Sequence, residues 1–231
     1  MSAAVLIAGN FLREHRWAIV LLLLWAFGSG TAAAFSVSSA HEDALFFLKQ
    51  QAMYSVFFTV FLAASALHNQ RRSRRILAVL AKGIERYEYL GGVMLGFLTV
   101  SGLYSLALGI TGAFTFYVAG ANPAKIVPLM LMLFLASALA GTVALLFSTF
   151  LNPLLTLVTT GLVLGTSSLL PVRLVPILPA YDLMHAVMNF TFFAPVQVPW
   201  MSMLTAGAAT VLLWLLASWV FSRRDVAVAV E

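Results

Sequence analysis

Long apolar runs separated by short charged stretches form the pattern of residues along this chain. No Lys, Arg, Asp or Glu occurs at residues 17–41, 50–70, 89–124, 126–172 or 183–222. A membrane-spanning helix needs about 20 apolar residues, so each of the first three runs predicts one span. The fourth run is long enough for two spans, and Asn152-Pro153 within it favours a turn between them. The fifth run ends in one further span, which brings the predicted total to six.

Composition supports a location in the membrane. Of the 231 residues, 62% are hydrophobic and only 9% are charged, whereas soluble chains carry about 25% charged residues. A soluble enzyme, a nucleic-acid-binding domain and a disordered protein are therefore excluded. We predict an all-α integral membrane protein that forms a single transmembrane domain over residues 1–231. Its spans are predicted at about residues 17–38, 50–68, 89–118, 126–150, 154–170 and 200–221.

The distribution of basic residues predicts the orientation of the spans, because cytoplasmic loops carry an excess of Lys and Arg. With both termini in the cytoplasm, three basic residues lie outside: Lys49, Lys125 and Arg173. Ten lie inside: Arg13, Arg16, Arg71, Arg72, Arg74, Arg75, Lys82, Arg86, Arg223 and Arg224. An even number of spans also requires both termini on the same side, so the two arguments agree.

Two segments outside the spans are apolar enough to contact the bilayer. Residues 1–16 combine apolar and charged side chains, which favours an interfacial amphipathic helix over a frayed start of the first span. Residues 171–199 hold five of the eight prolines and predict a re-entrant extracellular hairpin between spans five and six. Asp182 and His185 are i, i+3 neighbours in this hairpin. They are interpreted as a local polar pair at the membrane surface, the alternative being a proton or substrate site.

The cytosolic segment 69–88 between spans two and three is the most informative. Four arginines occur within five positions, Arg71, Arg72, Arg74 and Arg75, and the apolar residues that follow recur at helical spacing. A basic amphipathic helix in this position suits docking to a partner protein. The alternative is that the arginines only obey the positive-inside rule and bind anionic lipid headgroups.

Small residues at helical spacing predict close packing between spans. The chain contains Gly92-x-x-x-Gly96, Gly161-x-x-x-Gly165 and an alanine series at 136, 140 and 144. Residues of this size let the backbones of neighbouring helices approach each other.

Several kinds of catalytic chemistry have no motif in the sequence. The chain has no cysteine, no G-x-x-x-x-G-K-[ST] motif for ATP and no H-E-x-x-H motif for zinc. Its four histidines form no ligand cluster. We therefore predict that the chain is not an enzyme and that it binds no cofactor or metal itself.

Taken together, these features resemble the permease subunits of type-2 ATP-binding cassette (ABC) exporters over nearly the whole chain. The local pattern runs from Arg74-Arg75-Ile76-Leu77-Ala78-Val79-Leu80-Ala81 into Lys82-Gly83-Ile84-Glu85-Arg86-Tyr87-Glu88-Tyr89-Leu90-Gly91. The end Phe221-Ser222-Arg223-Arg224-Asp225 is similar to the family's F-x-R-R-D. Gly83 stands where the family commonly has proline, and Gly92 where it often has lysine, so the subfamily stays open.

The resemblance implies a membrane assembly in which the chain binds no nucleotide. Two ABC ATPase subunits would hold ATP and Mg, and a second permease chain would complete a homodimer or a heterodimer in the bacterial cytoplasmic membrane. The residues expected to couple to the ATPase are Arg71, Arg72, Arg74, Arg75, Leu77, Leu80, Lys82, Glu85 and Arg86. A hydrophobic or lipid-linked substrate is favoured, and no nucleic acid is expected as a partner. The alternatives are an intramembrane enzyme or an ion-coupled secondary transporter that uses Asp182 and His185.

Overall fold

The computed structural model describes residues 3–37, 41–72, 84–166 and 178–223, with side chains described at 3–37, 41–68, 84–165 and 179–223. These residues form eight α-helices and one 3-10 turn and contain no β-strand. The elements are α1 (Ala3–Glu14), α2 (Arg16–Ser36), α3 (His41–Arg72), α4 (Arg86–Val118), the 3-10 turn Pro123–Lys125, α5 (Ile126–Ser148), α6 (Pro153–Thr166), α7 (Leu178–Met188) and α8 (Trp200–Arg223).

Five of these helices, α2, α3, α4, α5 and α8, are long and apolar enough to cross a membrane. Large apolar side chains stand on their outward faces, among them Leu21 at 66% and Ile110 at 63% exposure. Lipid, rather than water, is the solvent that suits such a surface. The protein is therefore an all-α membrane protein with several spans. Helix α6 has 14 residues, fewer than the about 17 that a span requires, so the count of six spans stays a prediction.

Helix α5 lies at the centre of the bundle, in contact with α3, α4, α6, α7 and α8. The predicted alanine series faces these neighbours, because Ala136, Ala140 and Ala144 are all buried. Gly141 continues this surface: a Cβ atom there would lie 2.8 Å from Thr59 Cγ2 and 2.9 Å from Phe97 Cε2. The small side chains thus let α3 and α4 approach the central helix closely.

Helix α1 packs along the first half of α4, and two glycines form the contact. A Cβ atom at Gly92 would lie 2.6 Å from Ile7 Cβ, and one at Gly96 would lie 2.6 Å from Phe11 Cδ1. Both positions therefore require glycine for α1 to lie at this distance; the close approach that the spacing predicts between spans is made here with α1 instead. The second motif behaves differently, because a Cβ at Gly161 or Gly165 would meet none of the described atoms within 4 Å.

Two helices begin where local side chains favour a helix start. Asn152 precedes α6, and its Oδ1 accepts a hydrogen bond of 2.8 Å from the backbone N–H of Leu155, the arrangement of an N-cap with proline in the first turn. Helix α3 begins at His41, well before the predicted span at 50–68. Glu42 and Asp43 lie in its first turn, where carboxylates complement the helix dipole. The run without charged residues at 50–70 thus predicted the apolar part of this helix, but it did not predict where the helix begins.

The described part of the predicted hairpin contains one short helix, α7, followed by irregular chain at 189–199. Residues 171–177 lie outside the described residues. Helix α7 packs against α5 and α8 through the buried side chains of Leu183 and Val187. The re-entrant path of the hairpin stays a prediction.

Candidate functional site

The predicted coupling residues fall largely outside the part of the chain that the structure describes. Arg74, Arg75, Leu77, Leu80 and Lys82 belong to the segment 73–83, which is not described. The backbone of Arg71 and Arg72 ends α3, but their side chains are also outside the described set. Only Glu85 and Arg86 are placed with their side chains. Glu85 is exposed directly before α4, and its carboxylate makes no capping hydrogen bond.

Arg86 joins the start of α4 to the end of α8. Its Nη1 atom donates hydrogen bonds to the carbonyl oxygens of Phe221 (3.3 Å) and Ser222 (2.8 Å). The last carbonyls of a helix have no partner within the helix, and a cation there also complements the helix dipole. The rings of Tyr89 and Phe221 stack beside this contact, with centroids 6.2 Å apart. We call this end of the bundle the Arg86 end.

A groove of about 580 Å³ opens at the Arg86 end. Its walls come from the start of α4, at residues 84–87, and from Ser218, Trp219 and Ser222 of α8. Tyr87 and Trp219 are about half exposed, and the Arg223 guanidinium lies 4.3 Å from the centroid of the Trp219 ring. Exposed aromatic and arginine side chains around a groove are typical of a protein–protein interface.

Asp182 and His185 both lie on the exposed face of α7, at the opposite end of the bundle, but they bind different partners. The Oδ2 atom of Asp182 accepts a hydrogen bond of 3.0 Å from Ser202 Oγ at the start of α8. The Asn189 amide nitrogen lies 3.0 Å from the ring nitrogens of His185, and the His185 ring is also tilted against Tyr181 at 5.9 Å. No hydrogen bond joins Asp182 to His185 among the described residues. Asp182 therefore links α7 to the start of α8, whereas His185 contacts Tyr181 and Asn189, which lie four residues before and after it.

Lys125 holds the chain between α7 and α8, a role that the sequence does not signal. Its Nζ atom donates hydrogen bonds of 3.0 Å to each of three consecutive carbonyl oxygens, those of Phe192, Phe193 and Ala194. An ammonium group has three donors, so this contact uses all of them. We call this end of the bundle the Lys125 end.

Aromatic side chains reinforce the contact at the Lys125 end. The His41 ring lies 5.9 Å from the ring centroids of Phe192 and Phe193. The Phe116 ring lies 5.8 Å from that of Phe190 and 5.0 Å from that of Phe192. The segment 190–194 therefore joins the first turn of α3, the end of α4 and the turn before α5.

A polar network crosses the middle of the bundle. Gln51 Nε2 on α3 donates a hydrogen bond of 2.7 Å to Ser29 Oγ on α2, and the Tyr104 hydroxyl on α4 donates one of 3.0 Å to the Gln51 carbonyl. One turn along, the hydroxyls of Ser55 and Ser137 lie 3.2 Å apart. Four helices, α2, α3, α4 and α5, are thereby linked inside the bundle. The signal was present in the sequence, since Gln51, Ser55 and Thr59 recur every four residues in an apolar run.

The described residues offer no candidate metal centre, because no three of their His, Asp or Glu side chains group together. Compared with models of known protein families and with curated proteins, the chain matches none. The candidate sites are therefore judged by their geometry alone: a basic and aromatic groove at the Arg86 end, and a polar cleft beside α7 at the Lys125 end.

Proposed function

We propose that the chain is the membrane-spanning permease subunit of an ABC exporter, driven by ATP hydrolysis on a separate subunit. The observation that carries the proposal is the order of elements along the chain. A short helix, α1, packs on α4, the basic segment 69–88 runs from the end of α3 to the start of α4, and the short helix α7 precedes the last long helix. This order is the one that the family resemblance implies.

The proposed topology has six spans in the bacterial cytoplasmic membrane, with α6 and the residues after it forming the fifth. The basic Arg86 end and both termini face the cytoplasm, and the Lys125 end faces outward. Ten basic residues against three support this orientation. The apolar surface of the spans favours a hydrophobic or lipid-linked substrate.

In the proposed mechanism the ATPase binds the basic segment 69–88. Two ATPase subunits bind ATP and Mg, and two permease chains, identical or related, complete the assembly. Arg71, Arg72, Arg74 and Arg75 pair with acidic groups of the ATPase, while Leu77 and Leu80 enter an apolar notch. Because Arg86 joins the start of α4 to the end of α8, a displacement of the segment reaches both helices.

The test introduces a carboxylate into the proposed notch. Leu77→Asp and Leu80→Asp are each expected to leave the chain in the membrane at wild-type level but to abolish co-purification with the ATPase and stimulation of its activity. Leu6→Asp is the control, because Leu6 is exposed on α1 and the exchange is the same. Wild-type co-purification and ATPase stimulation in both notch variants would contradict the docking site.

A second experiment separates the permease from a self-sufficient protein. The purified chain alone is expected to move no substrate in liposomes under an ion gradient, and to release no product from candidate substrates. Flux or turnover without an ATPase that is lost on Asp182→Asn would instead establish a secondary transporter or an intramembrane enzyme.

A further inference from the structure

An open cleft of about 600 Å³ lies beside α7 at the Lys125 end, bounded by α7, the segment 189–199 and the first turn of α8. Its volume is in the range of small-molecule sites, which enclose about 300–1,000 Å³. The cleft is distinct from the groove at the Arg86 end.

Part of the cleft lining is polar. Asp182 and His185 of α7, Asn189 and Gln197 of the segment that follows and Ser202 of α8 supply it. Among the described residues, Asp182 contributes the only carboxylate of the lining, and no lysine or arginine lines the cleft. The one formal charge that the described residues bring to the lining is therefore negative, in a chain whose net charge is +5.

The Asp182 carboxylate has room for another hydrogen-bond donor. Ser202 Oγ occupies one position on Oδ2, whereas a carboxylate offers about four acceptor positions. The two lysines described at this end are engaged elsewhere, Lys125 with three carbonyl oxygens and Lys49 over the ring of Phe190 at 5.6 Å. A ligand cation would therefore not compete with an internal ion pair among the described residues.

Much of the remaining lining is apolar. It comes from Ala186 of α7 and from Pro195, Val196, Val198 and Pro199 of the following segment, so a carbon skeleton next to the charged group would lose contact with water there. Among the described lining residues, an anion would face a carboxylate with no cation beside it, and a bare divalent cation would find only one carboxylate ligand. A cation that carries its charge on an apolar body suits both kinds of lining residue.

We propose that this cleft is a binding site for an organic ammonium group carried on an apolar body. The ammonium group lies against Asp182, and the apolar body lies on Val196 and Val198. Such a group occurs in free amines and in aminated lipid headgroups. The purified chain is expected to bind this ligand in the absence of an ATPase subunit.

The test measures binding to the purified full chain in a neutral maltoside detergent by equilibrium dialysis. Labelled benzylammonium, the protonated form of benzylamine at neutral pH, is expected to bind at least about tenfold more tightly than phenylmethanesulfonate, which has the same benzyl body and the opposite charge. Asp182→Asn is expected to weaken binding of the cation by about tenfold, the loss typical of one hydrogen bond to a charged group. Asp43→Asn is the matched control, because Asp43 is exposed in the first turn of α3, and it should leave binding within twofold of wild type.

A second variant tests the cleft without touching the charge. Ala186→Leu enlarges an apolar lining side chain one turn of α7 from Asp182 and is expected to weaken binding of benzylammonium while Asp182 remains. Thermal unfolding of each variant should match that of wild type, so that a loss of binding is not a loss of folding. Equal binding of cation and anion, or unchanged binding in both Asp182→Asn and Ala186→Leu, would overturn the proposal.

Competition identifies the source of the ammonium group. Displacement of the probe by phenethylamine alone supports a free amine, and displacement by dihexanoyl-phosphatidylethanolamine, but not by dihexanoyl-phosphatidylglycerol, supports a lipid headgroup. If neither amine displaces the probe, the site does not recognise ammonium chemistry and the inference is wrong.

Discussion

Replacing Lys125 with methionine removes the ammonium group that holds segment 190–194 and keeps a side chain of similar length. The change deletes three hydrogen bonds of 3.0 Å to the carbonyls of Phe192, Phe193 and Ala194. A hydrogen bond to a charged group contributes about 1.5–3 kcal/mol when buried, but polar contacts in membrane proteins average about 0.6 kcal/mol. Lys125 is only half-buried, so we use the lower value and expect a total loss of about 2 kcal/mol.

A loss of about 2 kcal/mol makes local opening of the segment about 30-fold more frequent. Amide hydrogen exchange followed by mass spectrometry is the direct assay, because the backbone N–H groups of residues 190–194 and 196–198 report this opening. We expect Lys125→Met to accelerate their exchange about 30-fold and to leave the centre of α5 unchanged. Lys125→Arg should give an intermediate value, since the planar guanidinium has a different donor geometry.

The control for this prediction is Lys49→Met at the same end of the bundle. Lys49 lies over the Phe190 ring at 5.6 Å, and an exposed cation–π contact is worth only about 0.5–1 kcal/mol. Lys49→Met should therefore accelerate hydrogen exchange in segment 190–194 by no more than about fivefold. Equal exchange in Lys125→Met and wild type would refute the reasoning. An equal increase throughout the bundle would refute it too, because it would show a general loss of stability.

Two further changes test the packing and the polar network. Gly92→Leu should detach α1 from α4, because the new Cβ would lie 2.6 Å from the Cβ of Ile7 and overpacking of this kind costs about 1–3 kcal/mol. Faster amide hydrogen exchange in α1 is the expected result. Gly161→Leu is the control and should leave exchange in α1 unchanged. Ser55→Ala and Ser137→Ala, alone and combined, should show a coupling of about 0.6 kcal/mol in unfolding by denaturing detergent, and strictly additive effects would mean that their 3.2 Å contact contributes nothing.

The sequence predicted the membrane class and the approximate position of the long helices because charge is costly in lipid and marks where apolar runs stop. The span predicted at 50–68 lies within α3, and the helix begins earlier, at His41, since Glu42, Asp43 and Lys49 are compatible with a helix that continues beyond the apolar run. Periodicity of small residues predicted a close approach at Gly92 but not that its partner is α1, and the same spacing at Gly161 brings no described atom within 4 Å of a Cβ placed there. Spacing predicts which residues lie on the same face of a helix, but it does not predict which element packs against that face.

The sites were harder to predict than the helices. Asp182 and His185 were correctly placed on one face of a helix, but their bonds to Ser202 and Asn189 depend on the path of the chain between α7 and α8. Lys125 gave no signal at all, because backbone carbonyls accept its hydrogen bonds and carbonyls are present at every residue. The coupling role of Arg71 to Lys82 stays a prediction, since their side chains lie outside the described residues.

Helix α3 runs without a break for 32 residues, which at about 1.5 Å per residue is a length of about 48 Å. That exceeds the about 30 Å of a hydrocarbon core. Its first residue, His41, touches the aromatic rings of Phe192 and Phe193, and its last turn leads into the arginine-rich segment. One continuous helix thus extends from the Lys125 end to the start of the arginine-rich segment, so a displacement of either end along the helix axis would also displace the other.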